Sequence, residues 1–296
     1  MFAVVVLHHF VPKRHNDLAF LSNVEQSMKR LLTFGASSQP NEGKKLRIGI
    51  SFNGRQFPGG HNIVKGLLAE NTEVIGFIGG TKGISKQEYL LVDSENIKLF
   101  NNQSGLHLLG RTRDQLRSEE ELRLAHKCCE ELNLDGLVLV GASHTLTDAT
   151  NFTNYLISHN CKTRVIGIPA SIDNNVHHHN LEACVGFATS SQMYSTLISN
   201  LMIDASSNTK YWYFIRLMGR DPSHLALECT LSTRPNYAII SEEVQNKGWD
   251  LEQLVEDIAR VIVKRQEKGL GFGCIIIPEG LPQFIPSLRR IKTELD

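Results

Sequence analysis

The chain has 296 residues, enough for one large domain or two smaller ones, and its 41% hydrophobic and 21% charged content is that of an ordinary folded globule rather than a disordered or fibrous chain. Its 31 basic and 31 acidic residues cancel, so no overall field recruits nucleic acid or an anionic membrane, and any phosphate has to be gripped locally. Six cysteines (Cys128, Cys129, Cys161, Cys184, Cys229 and Cys274) have no CxxC or other metal-type spacing and read as reduced core residues of a cytoplasmic protein.

The start, MFAVVVLHHFVPKRH, has an apolar run of seven residues with basic residues only after it, which does not fit a secretory leader. No stretch approaches the roughly 18 apolar residues that a membrane span requires. Residues 1–45 read as an N-terminal extension and linker, because FGASSQPNEGKK (34–45) is rich in Gly, Ser, Pro and Asn and has no apolar period. Residues 46–296 read as the folded domain. Strands are predicted at LRIGISF (46–52), EVIGFIGG (73–80), DGLVLVG (135–141), TRVIGIP (163–169), YWYFIRLMG (211–219), YAIIS (237–241) and GCIIIPEG (273–280). Continuous apolar runs of this kind suit parallel strands covered on both faces.

Helical patterns fall between them. Ser118 and Glu121 form a predicted capping box ahead of Leu122, Ala125, Cys129 and Leu132. Asp250 is a predicted cap for a helix with an apolar face through Leu251, Leu254, Val255, Ile258 and Ile262. Lys264, Arg265 and Lys268 are expected in its last turn and Gly269 as its stop. Strand and helix alternating in this way predict a doubly wound, mostly parallel α/β sheet in three layers, with ligands bound beyond the carboxyl ends of the strands.

The loops at those ends are therefore the places for chemistry. NGRQFPGGHN (53–62) leads into a helix from Ile63; its glycines suit either a phosphate cradle or a turn with special backbone needs. ASHTLTDA (142–149) opens another helix, and its hydroxyls read most simply as caps. MGRDPSH (218–224) puts Arg216 and Arg220 near a strand end, where two guanidiniums either grip a phosphate or pair with surface acids. Glu279 of PEG stands at another strand end, placed to accept bonds from sugar hydroxyls or to cap the next helix. Three consecutive histidines, His177–His179, do not converge on one point as an i, i+4 pair does, so no metal is assigned to them.

In order, the blocks GRQFPGGHN, GFIGGTKGI, TRVIGIP, SID, VGFAT, KYWYFIRLMGR, SHLALEC, EEV and IIIPEGL run from about residue 46 to 285. Collinear across the chain, they resemble the phosphofructokinase family, specifically its long pyrophosphate-dependent branch. The resemblance implies a phosphofructokinase-like fold with an incomplete second lobe, since members of this branch continue well past the Pro-Glu-Gly block. It also implies the phosphorylation of fructose 6-phosphate to fructose 1,6-bisphosphate. In the family the sugar phosphate is held by Thr-Ile-Asp, Lys-Tyr, Met-Gly-Arg and the Glu of Pro-Glu-Gly. Those positions here are Ser171, Ile172 and Asp173; Lys210 and Tyr211; Met218, Gly219 and Arg220; and Glu279. Asp173 keeps the carboxylate that serves the family as general base.

The phosphate-donor positions depart from the family. The Gly-Gly-Gln of the first loop reads Gly54, Arg55 and Gln56. The Gly-Gly-Asp-Asp-Ser loop, which supplies a Mg²⁺ carboxylate, reads Gly141, Ala142, Ser143, His144 and Thr145. A lysine set against the transferring phosphate is Ala170, and two further family aspartates are Asn175 and Ala188. Mg²⁺, the family's metal, thus meets Ser143 at its ligand position. This pattern is similar to that of the regulatory, alpha-type members of the plant branch. It implies a non-catalytic chain that binds a fructose phosphate and works in an oligomer with a catalytic phosphofructokinase subunit. Two alternatives stay open: an active phosphotransferase whose donor site is rebuilt around Arg55 and His144, and a relic that contributes only an interface.

Overall fold

The computed structural model describes residues 45–69, 72–103, 106–176, 181, 183–220 and 223–295. The extension up to residue 44 and the run His177–His179 lie outside the described residues. The chain divides into two compact units: residues up to Ser171 with Val176–Val185, and Ile172–Asn175 with Gly186 onward.

The first unit holds β1 (Arg47–Phe52), α1 (Gly60–Ala69), β2 (Glu73–Phe77), α2 (Thr81–Lys86), β3 (Tyr89–Val92), α3 (Ser94–Lys98), α4 (Glu119–Glu131), β4 (Gly136–Gly141), α5 (Ser143–Ser158) and β5 (Arg164–Pro169). Its five-stranded sheet has the order β3-β2-β1-β4-β5. Parallel pairing sets Phe52 opposite Val140 and Gly141 opposite Pro169, so β1, β4 and β5 end level with one another. β3 alone runs antiparallel, on β2.

Alternation along β4 explains the three layers. Leu137 and Leu139 point into a core with Phe77, Cys128, Cys129 and Phe152, while Val138 and Val140 point into another with Ile50, Phe52, Phe57 and Val64. Helices thus cover both faces, as a doubly wound sheet requires. The predicted capping box at Ser118 is present, its hydroxyl accepting from the Glu121 N–H at 3.2 Å. All six cysteines are free, and burial pushes the Cys128 thiol up to about 12, so it stays protonated.

The second unit holds α6 (Phe187–Asn208), β6 (Trp212–Leu217), α7 (His224–Thr233), β7 (Tyr237–Ala238), α8 (Ser241–Lys247), α9 (Leu251–Gln266), β8 (Gly273–Pro278) and α10 (Pro286–Leu295). Its three strands are parallel in the order β6-β8-β7. Ile276 of β8 faces a core built with Ile198, Leu217, Leu225 and Cys229; Ile277 packs on another built with Ile239, Val244, Leu254 and Ile285.

Several sequence expectations need correction. YAIIS yields a strand of only two residues, because the chain turns at Ile240 to start α8. The helix expected from Ile63 begins at Gly60. Asp250 does cap α9, in a box with Gln253, but the apolar stripe is narrower than expected: Leu254 is buried while Leu251 and Val255 stay 44% and 54% exposed. At about 100° per residue Val255 is turned away from Leu254, while Leu251 lies only about 60° from it but is the first residue of the helix. Lys264 and Arg265 occupy its last turn; Lys268 lies beyond it, and Gly269 follows in a left-handed conformation at φ 72°.

Candidate functional site

In the first unit the chain crosses from the β2 side of β1 to the β4 side, so the loops after β1 and β4 flank the switch point at which open α/β sheets take ligands. Gly54 follows β1 at φ 76°; its N–H donates to the Thr112 carbonyl at 2.7 Å, and its own carbonyl accepts from Arg111 Nη1 at 2.7 Å. A Cβ at Gly54 would stand 3.6 Å from Thr145 Oγ1, so this loop lies against the first turn of α5. Gly141 closes β4. A Cβ there would come within 2.3 Å of Thr145 Oγ1 and 2.7 Å of the Asn53 carbonyl, a space that only glycine fits. Arg55 and Ser143 are half-buried, His144 is exposed, and Ala170 is packed in the core with its N–H on the Gly141 carbonyl at 2.9 Å.

The hydroxyls of this second loop do not cap α5, contrary to expectation. Its N-cap is Ala142, with no side-chain bond. Thr147 Oγ1 instead donates back to the Ser143 carbonyl at 3.1 Å, a bond inside its own helix that competes with capping.

Magnesium takes oxygen ligands and is usually anchored by one or two carboxylates. Residues 141–145 offer none, and among the described residues no three His, Cys, Asp or Glu side chains stand together to hold an ion. The residues present therefore do not fit the family's metal.

The first acid along α5 is Asp148, which is buried and used structurally. Its Oδ2 accepts from the Leu116 N–H at 3.3 Å and its Oδ1, 4.0 Å from Arg117 Nε, makes no hydrogen bond. Burial pushes this carboxyl up to about 6, against the weaker pull of Leu116 and Arg117. Between about pH 4 and pH 6 the folded chain holds a proton that the unfolded chain has released, so the stability contributed here falls as pH rises through that window. Asp148→Asn is expected to stabilise the chain by about 1–2 kcal/mol at pH 7.5 and to change little at pH 4, read from thermal melts at both pH values.

In the second unit, β6 and β8 end side by side, Leu217 opposite Pro278. Met218–Arg220 turns off the first and Glu279 off the second. Glu279 Oε2 accepts from the Gly219 N–H at 2.9 Å, the Glu279 N–H donates to the Leu217 carbonyl at 3.0 Å, and Arg216 Nη2 donates to the Glu279 carbonyl at 3.2 Å. Asp173 is 8% exposed, and its Oδ1 accepts from the Arg220 N–H at 3.0 Å. Two carboxylates thus grip consecutive backbone N–H groups of one turn. That bond does not saturate Glu279, since a carboxylate accepts up to about four. Ile172 packs on the core beneath, and the Met218 and Arg220 side chains are exposed.

Two sequence candidates of the second unit, Lys210 and Tyr211, are not brought to this turn. Ser171 is buried in the first unit. Lys210 and Tyr211, both exposed, precede β6 whereas Met218 follows it, which separates the two groups by roughly 20 Å at the usual rise of a strand. One small sugar phosphate at the turn does not reach both ends.

The structure also adds residues that the sequence reading left without a role. Glu242 Oε1 accepts from the Ser223 N–H at 2.9 Å, and Ser223 Oγ accepts from the Ser241 N–H at 2.9 Å. His224 Nδ1 stands 3.0 Å from the Asn174 carbonyl. Burial pushes the Glu242 carboxyl up, but its bonds to Ser223 outweigh this and hold it below the ordinary value.

A family profile for phosphofructokinase matches residues 47–294. The chain belongs to the phosphofructokinase family. Among the curated relatives of this phosphofructokinase-family chain, the Arabidopsis thaliana pyrophosphate–fructose 6-phosphate 1-phosphotransferase subunit alpha 2 is 41% identical over 256 residues, covering 84% of this chain and 41% of the relative. Subunit beta 2 of the same organism is 38% identical over 272 residues, covering 90% and 48%. The chain thus spans about half the length of the curated relatives it matches. A pyrophosphate-dependent phosphofructokinase structure from Marinobacter aquaeolei superposes with a TM-score of 0.67 at 14% identity, covering 84% of this chain and 65% of that one. At that identity the match speaks to fold, and it agrees with the phosphofructokinase-like α/β architecture expected from the sequence. Alpha and beta relatives match almost equally well, so the comparison does not assign this chain to either type.

Proposed function

We propose that this chain is a non-catalytic subunit of a pyrophosphate-dependent fructose 6-phosphate phosphotransferase assembly, binding a fructose phosphate in its second unit and modulating a catalytic partner chain. The observation that carries the reading is the contrast between the two sets of loops. Asp173, Arg220 and Glu279 converge on one turn, while residues 141–145 and Ala170 carry neither a magnesium carboxylate nor a lysine. Phosphoryl transfer rests on cations that neutralise the transferring group and on its positioning, so a base without that machinery has nothing to act on.

In this reading the backbone of Gly219 and Arg220, held by the two carboxylates, presents the exposed Arg220 guanidinium to the sugar's phosphate, and the remaining acceptor capacity of Glu279 accepts its hydroxyls. Asp173 persists as a ligand and a brace, and no longer as a base. Lys210 and Tyr211, at the far end of β6, are available to a neighbouring chain in the oligomer. Free cysteines suit a cytoplasmic setting. The test is a paired one: fructose 6-phosphate binding by calorimetry on the isolated chain, then turnover of a catalytic beta-type chain with and without it. Binding together with a change in the partner's turnover is the expected outcome, and neither effect would remove the reading.

The half-buried Arg55, in the loop against α5, favours the second reading, an active enzyme with a rebuilt donor site. Under it, Asp173→Asn abolishes a measurable turnover of the isolated chain.

A further inference from the structure

The sugar-phosphate turn is tied to more than Asp173 and Glu279. Ser223 and His224 follow shortly after it and form a node between two other parts of the second unit. On one side, the Ser223 N–H donates to Glu242 Oε1 and its Oγ accepts from the Ser241 N–H, so the residue preceding α7 and the first residues of α8 are clasped by two bonds. On the other, His224 Nδ1 meets the carbonyl of Asn174, the neighbour of Asp173. Asn174 itself has a left-handed φ of 49°, a conformation its surroundings must hold in place. Direct contacts thus run from Glu242 to Ser223 and His224, to Asn174 and Asp173, and back to the Arg220 N–H.

Burial makes the clasp rigid. Ser223 is 3% and Ser241 0% exposed, so water cannot stand in for a lost partner. Glu242 Oε2 and Ser241 Oγ are buried with no hydrogen-bond partner, and the carboxylate is therefore located through its bond to Ser223. A half-buried acid with one buried, unpartnered oxygen is a poor choice for stability alone, where an apolar side chain serves better. What this acid does supply is an acceptor for the N–H of the residue that leads into α7.

We infer that Glu242 is a positioning residue for the sugar-phosphate turn, holding Ser223 so that Asp173 and Glu279 keep their grip on Arg220 and Gly219. The inference rests on the sugar-phosphate reading for what the turn binds, though not for the clasp itself. Glu242→Ala removes the acceptor. Glu242→Gln retains a side-chain oxygen for the Ser223 N–H. Glu243→Ala is the control, since Glu243 is exposed and pairs with Lys247 at 2.7 Å.

The experiment is amide hydrogen exchange on the full chain, together with calorimetric titration of fructose 6-phosphate. In Glu242→Ala, exchange at Gly219 and Arg220 is expected to quicken by about tenfold or more while amides of β4 in the first unit stay as in the wild type. Glu242→Gln is expected to restore protection to within about threefold, and Glu243→Ala to leave it unchanged. The dissociation constant of fructose 6-phosphate is expected to rise by about tenfold in the alanine variant and to recover in the glutamine variant. Should Glu242→Ala fail to fold, Glu242→Asp, one methylene shorter, gives the same readout. Unchanged exchange at Gly219 and Arg220 in a folded Glu242→Ala or Glu242→Asp chain overturns the inference. A wild-type chain that binds no fructose 6-phosphate, with the exchange pattern as expected, overturns the sugar-phosphate reading and leaves the clasp standing.

Discussion

Given magnesium pyrophosphate, the isolated chain is expected to phosphorylate fructose 6-phosphate at least about 10³-fold more slowly than a family chain whose donor loop carries the metal carboxylate and the lysine. Each such preorganised contact is typically worth about 10² to 10³ in rate, and losses within one site do not multiply freely, so a single factor is the safe floor. Two features of the first unit make the deficit hard to avoid. Ala170 is 2% exposed and built into the core, and the first acid along α5 is already engaged by the Leu116 N–H. Arg55 can neutralise a phosphate but cannot hold a magnesium ion. The check is a coupled assay of a preparation free of catalytic chains. Turnover within tenfold of an active family member would show that the donor site has been rebuilt.

Glu279→Ala is expected to weaken fructose 6-phosphate binding by about 10- to 100-fold and to cost about 1–3 kcal/mol of stability. The reason is geometric: Gly219 is buried, and its N–H at 2.9 Å from Glu279 Oε2 loses its acceptor when the side chain is cut back. Gly219 also sits at φ 138°, so the turn relaxes once that anchor is gone. Glu279→Gln keeps an acceptor oxygen and is expected to lose less affinity, mainly the part that depends on charge. Calorimetric titration of both variants, with thermal melts as the control for folding, separates the two contributions.

Much of the fold was legible because the central strands are buried on both faces and so read as unbroken apolar runs. GLVLVG in β4 is the clearest, with every residue buried. The capping box at Ser118 and the cap at Asp250 were also legible, because a cap is a local contact within the first turn, although the Gln253 half of the second box was not foreseen. β3 was missed since YLLV is a short, half-exposed edge strand with only one β-branched residue. For the candidate site, strand ends located the loops of Arg220 and Glu279, and the resemblance supplied Asp173. The long-range bonds that brace the loops of each unit were not legible: Arg111 and Gly54 in the first unit are 57 positions apart, and Glu242 and Ser223 in the second are 19 apart. No local pattern marks such pairs. Lys210–Tyr211 and Met218–Arg220 entered as one binding set by resemblance; the intervening strand of six residues puts them at opposite ends.

The most direct test of the proposed division of labour titrates one preparation of the chain twice by calorimetry, once with fructose 6-phosphate and once with pyrophosphate in excess magnesium. Saturable heat from the sugar phosphate and none from magnesium pyrophosphate at millimolar concentration is the expected pair of results. A saturable, magnesium-dependent pyrophosphate isotherm would contradict it.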